Sequence, residues 1–166
     1  MARRLASRGC IVCGQENPLG LRLAFDVDRA GARAAWVAKP DYQGFDGVIH
    51  GGVVLALLDD AMWYAVYGQG AVALTAEATV RYKARVAVGA PVRVQGEVVE
   101  RRGRLFQCRA EILHAGDGSL LASSQAKFVT VADTELPALV AGTGVHELPT
   151  GDGEDADRGG ADAPGG

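Results

Sequence analysis

The stretch that decides the fold reads IHGGVVLALLDDAMWYAVY, residues 49–67. Apart from Asp59 and Asp60, its residues from Val53 onward are apolar or aromatic, which is typical of a helix buried on nearly every side. Burying a carboxylate in such surroundings costs free energy, so we expect it to be paired with another group or to have a functional role. Gly51 and Gly52 leave backbone N–H groups open at the helix start, where the helix dipole favours negative charge. The stretch predicts a core helix whose first turn suits an oxyanion.

Alternating residues on both sides of this helix predict strands. Leu21, Leu23 and Phe25 occupy alternate positions, and Gly31 opens a second alternating run. Four further alternating runs, separated by glycine-containing turns, follow the helix up to Val131. The simplest way to bury one apolar helix with these strands is to curl the sheet around it. We therefore predict an α+β fold with an antiparallel sheet of about six strands wrapped around one long central helix.

Composition divides the chain into three parts. Residues 1–19 form an N-terminal extension with a Cys-x-x-Cys motif, and residues 20–132 carry the helix and the strands. Residues 133–166 are acidic and rich in Gly and Ala, with few large apolar side chains. Because such a segment buries too little surface to offset its ordering entropy, we predict a disordered tail.

Charge and hydropathy exclude several classes of protein. The 166 residues carry a net charge of −3, and a dense basic stripe with aromatic residues is lacking, so nucleic acid is not an expected partner. No apolar run reaches the length of about 18 residues that a membrane span needs. Three cysteines without a secretory signal indicate reduced thiols. The sequence predicts a cytoplasmic protein without membrane association.

The spacing within the helix predicts a site shared by two subunits. If the N–H groups of Gly51 and Gly52 hold a carbonyl oxygen while Asp59 acts on its carbon, a rise of about 1.5 Å per residue separates these groups by roughly 11 Å. One reacting group needs both partners at about 3 Å. Two antiparallel helices must therefore meet, and an exposed sheet edge favours the same pairing of two copies. We expect a homodimer with two equivalent sites.

These motifs resemble a known family. A His-Gly-Gly motif at 50–52, a carboxylate nine residues after the His, and the strand sequence at 79–82 followed by Gly89 are similar to the hotdog-fold acyl-CoA thioesterases. The resemblance covers about residues 20–131 and is greatest to the phenylacetate-pathway-like and 4-hydroxybenzoyl-CoA thioesterase branch. The Cys-x-x-Cys-Gly segment at 10–14 resembles an extension on some uncharacterised members.

The resemblance implies an activity and assigns roles. It implies hydrolysis of a small or medium acyl thioester of CoA or of acyl carrier protein, without a cofactor, by a dimer that in this family often forms a tetramer. Asp59 corresponds to the catalytic general base or nucleophile, and Gly51 would polarise the thioester carbonyl. Thr75 corresponds to a hydroxyl residue that positions water in some members. His50 would shape the loop.

One position departs from the family pattern. Many members carry an Asn six residues before the motif His, and here that position is Gly44. Asp46 lies nearby, but a carboxylate only accepts hydrogen bonds and cannot donate as an amide does. The substitution bears on the rate and on the substrate class.

Several residues have more than one interpretation. Asp60 lies about 100° around the helix from Asp59 and is the alternative working carboxylate. The glycines could serve close packing alone, and Thr75 could simply pair across the sheet. Further candidates for substrate binding are, besides Asp60, the aromatic residues Phe45 and Trp63 and the turn residues Arg101 and Arg102, whose cations suit the phosphates of CoA. Trp63 has a core role as its alternative, as have Tyr64 and Tyr67.

The cysteine pair could supply only half of the ligands of a tetrahedral metal site. Cys10 and Cys13 have the spacing of two zinc ligands, but Cys108, His114 and His146 are scattered along the chain. The sequence therefore predicts no metal site.

Two other functions remain open. A non-catalytic module that binds acyl-CoA would explain Gly44 in place of Asn. A hydratase or dehydratase of the same fold usually works through a His and Asp pair, and the predicted helix contains no His.

Overall fold

The computed structural model describes residues 1–132 and 134–149 of the chain, which form one large antiparallel sheet and two helices. The strands are β1 (Arg3–Ala6), β2 (Phe25–Asp28), β3 (Gly31–Val37), β4 (Gln43–Phe45), β5 (Val48–Ile49), β6 (Ala73–Tyr82), β7 (Pro91–Arg102), β8 (Leu105–His114), β9 (Leu120–Thr130) and β10 (His146–Glu147). The helices are α1 (Gly51–Gly68) and α2 (Leu136–Thr143), and Pro40–Tyr42 forms one turn of 3-10 helix.

Helix α1 is the predicted core helix. It begins where the His50 ring caps the first turn, and it ends at Gly68, two residues before Gly70 adopts a left-handed conformation with φ of 80°. Its apolar side chains are buried on several sides, and it contacts β2, β3, β6, β7, β8 and β9. The sheet thus curls around the helix as predicted.

A glycine in β7 lets the helix lie close to the sheet. A Cβ on Gly96 would lie 2.5 Å from the carbonyl oxygen of Ala61 and 2.8 Å from the amide nitrogen of Met62. Both are backbone atoms of α1, so no side chain fits between strand and helix here. The close contact sets the distance between α1 and the sheet. It thereby also sets the position of the neighbouring carboxylates, Asp59 and Asp60.

The eight strands of the main sheet follow the order β10-β1-β2-β3-β7-β8-β9-β6, and all neighbours are antiparallel. Six of them are the predicted strands: β2, β3 and β6 to β9. Strands β4 and β5 form a separate small hairpin just before α1. The α+β fold with one long helix packed against a large antiparallel sheet is confirmed.

Strand β6 is an edge of this sheet and is ten residues long. Its residues 74–79 are exposed on both faces, and Leu74 and Tyr82 keep 54% and 53% of their surface. The sequence predicts one dry face containing Ala78 and Tyr82, yet both residues are exposed in the single chain. The face of β6 that the sequence predicts as buried is therefore largely exposed in the single chain.

The two ends of the chain differ from the predicted boundaries. Strand β1 lies within the predicted extension, and its Leu5 is buried together with Val12 and Cys13. Helix α2 and strand β10 lie within the predicted disordered tail, and β10 pairs with β1. The pairing of β10 with β1 places part of this segment in the main sheet, whereas α2 has no buried residue. Half of the predicted tail, residues 150–166, lies outside the described residues.

Within the described chain, neither helix combines the length and the hydropathy of a membrane span.

Candidate functional site

The first turn of α1 presents one open N–H group. The Nδ1 atom of His50 accepts a hydrogen bond of 2.8 Å from the N–H of Gly52, and the Tyr82 hydroxyl donates to the Gly51 carbonyl oxygen at 2.9 Å. His50 is thus the N-cap of the helix. The sequence predicts both glycines as donors to a ligand, but the N–H of Gly52 already donates to the His50 ring. Gly51 is left as the donor that can meet a ligand.

A cleft of about 600 Å³ opens beside this turn. Phe45, His50 and Gly51 line one side, while Lys83 and Arg85 line the other. Phe45 keeps 82% of its surface in the single chain. The cleft combines an apolar ring, a helix N-terminus and two cations, which suits an anionic ligand with an apolar part.

The position at which the family pattern has Asn is tightly packed. A Cβ on Gly44 would lie 3.1 Å from the Cδ2 atom of His50 and 3.3 Å from its Cα atom. A larger side chain there would push the His50 ring that caps α1. The small size of Gly44 therefore leaves the His50 ring in its capping position.

The middle of α1 presents Asp59 to strand β6. The Thr75 hydroxyl donates a hydrogen bond of 2.8 Å to Asp59 Oδ1. Burial raises the pKa of Asp59 above its usual value, and the hydrogen bond from Thr75 opposes that rise. A carboxylate held in this way, with a pKa displaced toward neutrality, is suited to accept a proton.

Asp60 points toward the N-terminal loop. The Cys10 thiol lies 3.7 Å from Asp60 Oδ1. Burial, with smaller contributions from Cys10 and Asp59, raises the pKa of Asp60 to about 8. Its Oδ2 atom is buried and has no hydrogen-bond partner among the described residues. The two neighbouring carboxylates thus face different surroundings.

A second cleft, of about 520 Å³, joins these residues. Asp59, Asp60 and Trp63 line it from α1, and Cys10 and Cys13 line it from the N-terminal loop. At and just after the end of α2 the lining residues are Gly142, Thr143 and Val145. The Trp63 indole donates to the Ala73 carbonyl oxygen at 2.9 Å and stacks on Tyr67, so it forms a fixed apolar wall. Tyr64 is fully buried and stacks on Phe25, which makes it a core residue. Although Asp60 lies about 100° around the helix from Asp59, both carboxylates reach this cleft.

The two clefts are separate within one chain. They share no lining residue, and Gly51 and Asp59 lie eight positions apart on one straight element, which is about 12 Å at 1.5 Å per residue. One chain therefore brings Asp59, Asp60, Thr75 and Trp63 together but leaves His50, Gly51 and Phe45 elsewhere.

Arg101 and Arg102 lie outside both clefts. The Arg101 guanidinium stacks over the Phe106 ring, 4.7 Å from its centroid, and Arg102 pairs with Glu100 at 2.7 Å. Each cation has a local partner at the far end of β7. Within one chain, the cations near the helix start are instead Lys83 and Arg85, which the sequence analysis does not single out.

Three contributions to these clefts escape sequence reasoning. Tyr82 reaches the first turn of α1 from β6, and the end of α2 closes the cleft at Asp59. Cys10 meets Asp60 across 50 residues of sequence. Only the Cys-x-x-Cys spacing gives a signal, because the other two contacts involve ordinary residues at ordinary positions.

The comparisons with known proteins agree on one family. Residues 46–121 match the model of the thioesterase superfamily, and this segment contains the start of α1, Asp59 and Thr75. No curated protein matches the chain significantly.

Solved structures share the fold. A thioesterase superfamily protein is 28% identical with a TM-score of 0.69, over 74% of this chain and 60% of its own, so the chain spans about three fifths of that relative. The E. coli PaaI protein of the phenylacetic acid degradation operon is 19% identical with a TM-score of 0.60, over 63% of this chain and 79% of its own. A hypothetical thioesterase from Streptococcus pneumoniae with coenzyme A is 14% identical with a TM-score of 0.61, over 64% of this chain and 83% of its own. The predicted resemblance to hotdog-fold thioesterases is confirmed; the branch within the superfamily is only approximate.

Proposed function

Because residues 46–121 match the thioesterase superfamily and the chain has the hotdog fold, we propose that this protein is an acyl-CoA thioesterase whose active site is completed across a homodimer interface. The observation that carries the proposal is the pair of Asp59 and Thr75 in the middle of the core helix. A carboxylate there has no structural need, since its burial costs free energy that a neutral residue would not cost. It is placed beside an apolar wall, Trp63, as an acyl substrate requires.

The chemistry assigns one role to each group. Asp59 activates water for attack on the thioester carbonyl, or attacks the carbonyl itself, and Thr75 orients the carboxylate. Attack produces a tetrahedral oxyanion, which the N–H of Gly51 at the helix N-terminus stabilises. A preorganised donor of this kind typically contributes about 3 kcal/mol to the transition state. His50 keeps the first turn in shape by capping it.

Two features of the chain support a site made by two subunits. Gly51 and Asp59 open into separate clefts of one chain, so a single carbonyl cannot touch both. Strand β6, which carries Thr75, is a long edge strand exposed on both faces, and such edges are usually covered. A second copy packed on β6 would bury Leu74 and bring its own first turn of α1 beside Asp59.

The known relatives support the substrate class. The S. pneumoniae thioesterase is described with coenzyme A, and two of its solved variants replace a threonine and an aspartate that lie 16 positions apart. Asp59 and Thr75 of this chain are also separated by 16 positions. We propose a CoA thioester with a small or medium acyl group, whose phosphates meet Lys83 and Arg85 at the cleft beside Gly51, with Arg101 and Arg102 as further candidates.

The decisive experiment is a panel of acyl-CoA thioesters followed by release of free thiol. Asp59→Asn should lower kcat by about 10²- to 10⁴-fold, the usual contribution of a positioned acid or base. Asp41→Asn, an exposed carboxylate on the 3-10 turn, is the matched control and should keep the wild-type rate. Undiminished hydrolysis by Asp59→Asn refutes the assignment, and a loss confined to Asp60→Asn transfers the role to Asp60.

A second candidate function is a non-catalytic acyl-CoA-binding or regulatory protein. Gly44 favours it, because the amide side chain of the family pattern is absent at this position and a Cβ there would press on His50. Such a protein would bind acyl-CoA in calorimetry yet release no thiol from any member of the panel.

A further inference from the structure

The N-terminal loop and the core helix bring three potential metal ligands together. The Sγ atoms of Cys10 and Cys13 and a carboxylate oxygen of Asp60 all lie within 4.8 Å of one another. The distance from Cys10 Sγ to Asp60 Oδ1 is 3.7 Å. In a tetrahedral zinc site with Zn–S near 2.3 Å and Zn–O near 2.0 Å, sulfur and oxygen ligands lie about 3.5 Å apart. The distance between Cys10 Sγ and Asp60 Oδ1 is thus close to the edge length of a zinc tetrahedron, and Cys13 Sγ lies within 4.8 Å of both atoms.

Asp60 supplies a second and independent observation. It is mostly buried, and its Oδ2 atom has no hydrogen-bond partner among residues 1–132 and 134–149. A buried carboxylate oxygen without a partner costs free energy unless something binds it. The atom belongs to the cleft that Cys10 and Cys13 also line. A cation is the partner that this position lacks.

The loop that carries the cysteines is built to hold them. The Gly14 N–H donates to the Cys10 carbonyl oxygen at 2.9 Å, and a Cβ on Gly14 would collide with that oxygen. The Val12 N–H donates to Cys10 Sγ at 3.3 Å, and the Tyr64 hydroxyl donates to Cys13 Sγ at 3.3 Å. These two hydrogen bonds hold the two sulfur atoms in place on the side of the loop that faces Asp60.

We propose that Cys10, Cys13 and Asp60 bind one zinc-class divalent cation, which ties the N-terminal loop to the core helix. Thiolate ligands select zinc over magnesium or calcium, which prefer oxygen. Binding replaces the protons of the thiols and the carboxyl group, which leave to solvent. Three protein ligands leave the fourth tetrahedral position to water on the cleft side. The inference goes beyond the proposed thioesterase activity and does not depend on it.

The test measures metal directly. The full chain, kept reduced by a phosphine, is titrated with Zn²⁺ and with Co²⁺, and bound metal is counted by mass spectrometry. One equivalent of zinc per chain and a thiolate-to-cobalt charge-transfer band are expected, with no binding of Mg²⁺ at the same concentration. Cys10→Ser and Cys13→Ser should lose the band, and Asp60→Asn should bind zinc at least about 10-fold more weakly. Cys108→Ser, which removes a buried thiol of β8, is the matched control and should bind like the wild type.

A second measurement avoids substitutions that disturb folding. Zinc should slow alkylation of Cys10 in the wild-type chain, read by peptide mass spectrometry, and should raise Tm. Equal zinc affinity of the wild type and the Cys10→Ser, Cys13→Ser double variant overturns the site. Unchanged affinity in Asp60→Asn, or unchanged alkylation of Cys10 in zinc, also overturns it.

Discussion

The hydroxyl of Thr75 is the smallest group whose removal tests the active site. It donates a hydrogen bond of 2.8 Å to Asp59 Oδ1. Hydrogen bonds to charged groups contribute about 1.5–3 kcal/mol, so Thr75→Val should lower kcat by about 10- to 100-fold if the bond persists in the transition state. The measurement is the same thiol-release assay at saturating substrate.

Two controls separate this effect from a disturbed strand. Thr75→Ser keeps the donor and should retain most of the rate, whereas Thr79→Val removes a hydroxyl from the same strand, four residues from Thr75, and should cost little. Equal kcat values for Thr75→Val and the wild type would show that the hydroxyl only pairs across the sheet.

At the residue scale, sequence reasoning predicts which residue types form the site better than it predicts how they interact. The resemblance assigns roles to both Asp59 and Thr75, and the structure shows a hydrogen bond between the two side chains. The sequence also predicts two free N–H groups at the helix start, but His50 occupies that of Gly52. The rotamer of the His50 ring decides which N–H group is occupied, and a sequence motif does not specify a rotamer. The contact of Cys10 with Asp60 depends on the whole path of the chain between them.

Among the secondary structure elements, the contact of β7 with α1 makes a prediction about stability. A methyl group at Gly96 would lie 2.5 Å from the backbone of Ala61, and backbone atoms cannot rotate away. Overpacking a tight core typically costs about 1–3 kcal/mol, so Gly96→Ala should lower the free energy of unfolding by at least that amount. Denaturant unfolding followed by circular dichroism measures it.

The matched control for Gly96→Ala is Gly142→Ala. Gly142 lies in α2, and a Cβ there meets nothing within 4 Å. Alanine in a helix is favoured over glycine by up to about 1 kcal/mol, so Gly142→Ala should be neutral or stabilising. Equal unfolding free energies for the two variants would mean that α1 can move away from β7 without cost.

Long elements were predictable and short ones were not. Alternation over about seven or more residues marks β3 and β6 to β9, and an apolar run marks α1, because each pattern repeats several times. Strand β2 has only four residues, but the alternation at 21–25 leads into it. Strand β1 has four residues and β10 has two, which is too short for any period to appear. Helix α2 contains Pro137 and Gly142 and lacks a side-chain cap, so no local sequence signal predicts it. Both β10 and α2 depend on contacts with the folded chain.

On the scale of the whole molecule, the exposed edge strand β6 supports the proposed pairing of two copies of the chain. A strand of ten residues at the sheet edge, exposed on both faces from 74 to 79, exposes unpaired backbone groups and apolar side chains to water. Natural proteins cover such edges. Closed two-fold symmetry would cover both copies of β6 and would create two equivalent sites, which is the arrangement that the distance from Gly51 to Asp59 demands.

Complementation between two inactive variants tests this arrangement. Asp59→Asn removes the carboxylate, and Gly51→Pro removes the N–H at the first helical position, where proline is well tolerated. His50, which precedes it, has a ψ of 136°, the extended conformation that proline requires of its predecessor. The atoms nearest to a Cβ at Gly51 belong to the Tyr82 side chain, at 3.4 Å, which is ordinary van der Waals contact, so the variant should fold. Each variant alone should lose at least about 100-fold in kcat.

A heterodimer of the two variants, isolated with a different tag on each chain, distinguishes shared from separate sites. If each site takes Gly51 from one subunit and Asp59 from its partner, one of the two sites combines both intact residues, while the other carries both defects. The heterodimer should then recover about half of the wild-type rate per dimer, because one of two equivalent sites works. If each subunit held a complete site, every site would carry one defect and the heterodimer would be as inactive as its parents. That result would show that Gly51 and Asp59 serve the same chain, and it would overturn the site shared by two subunits.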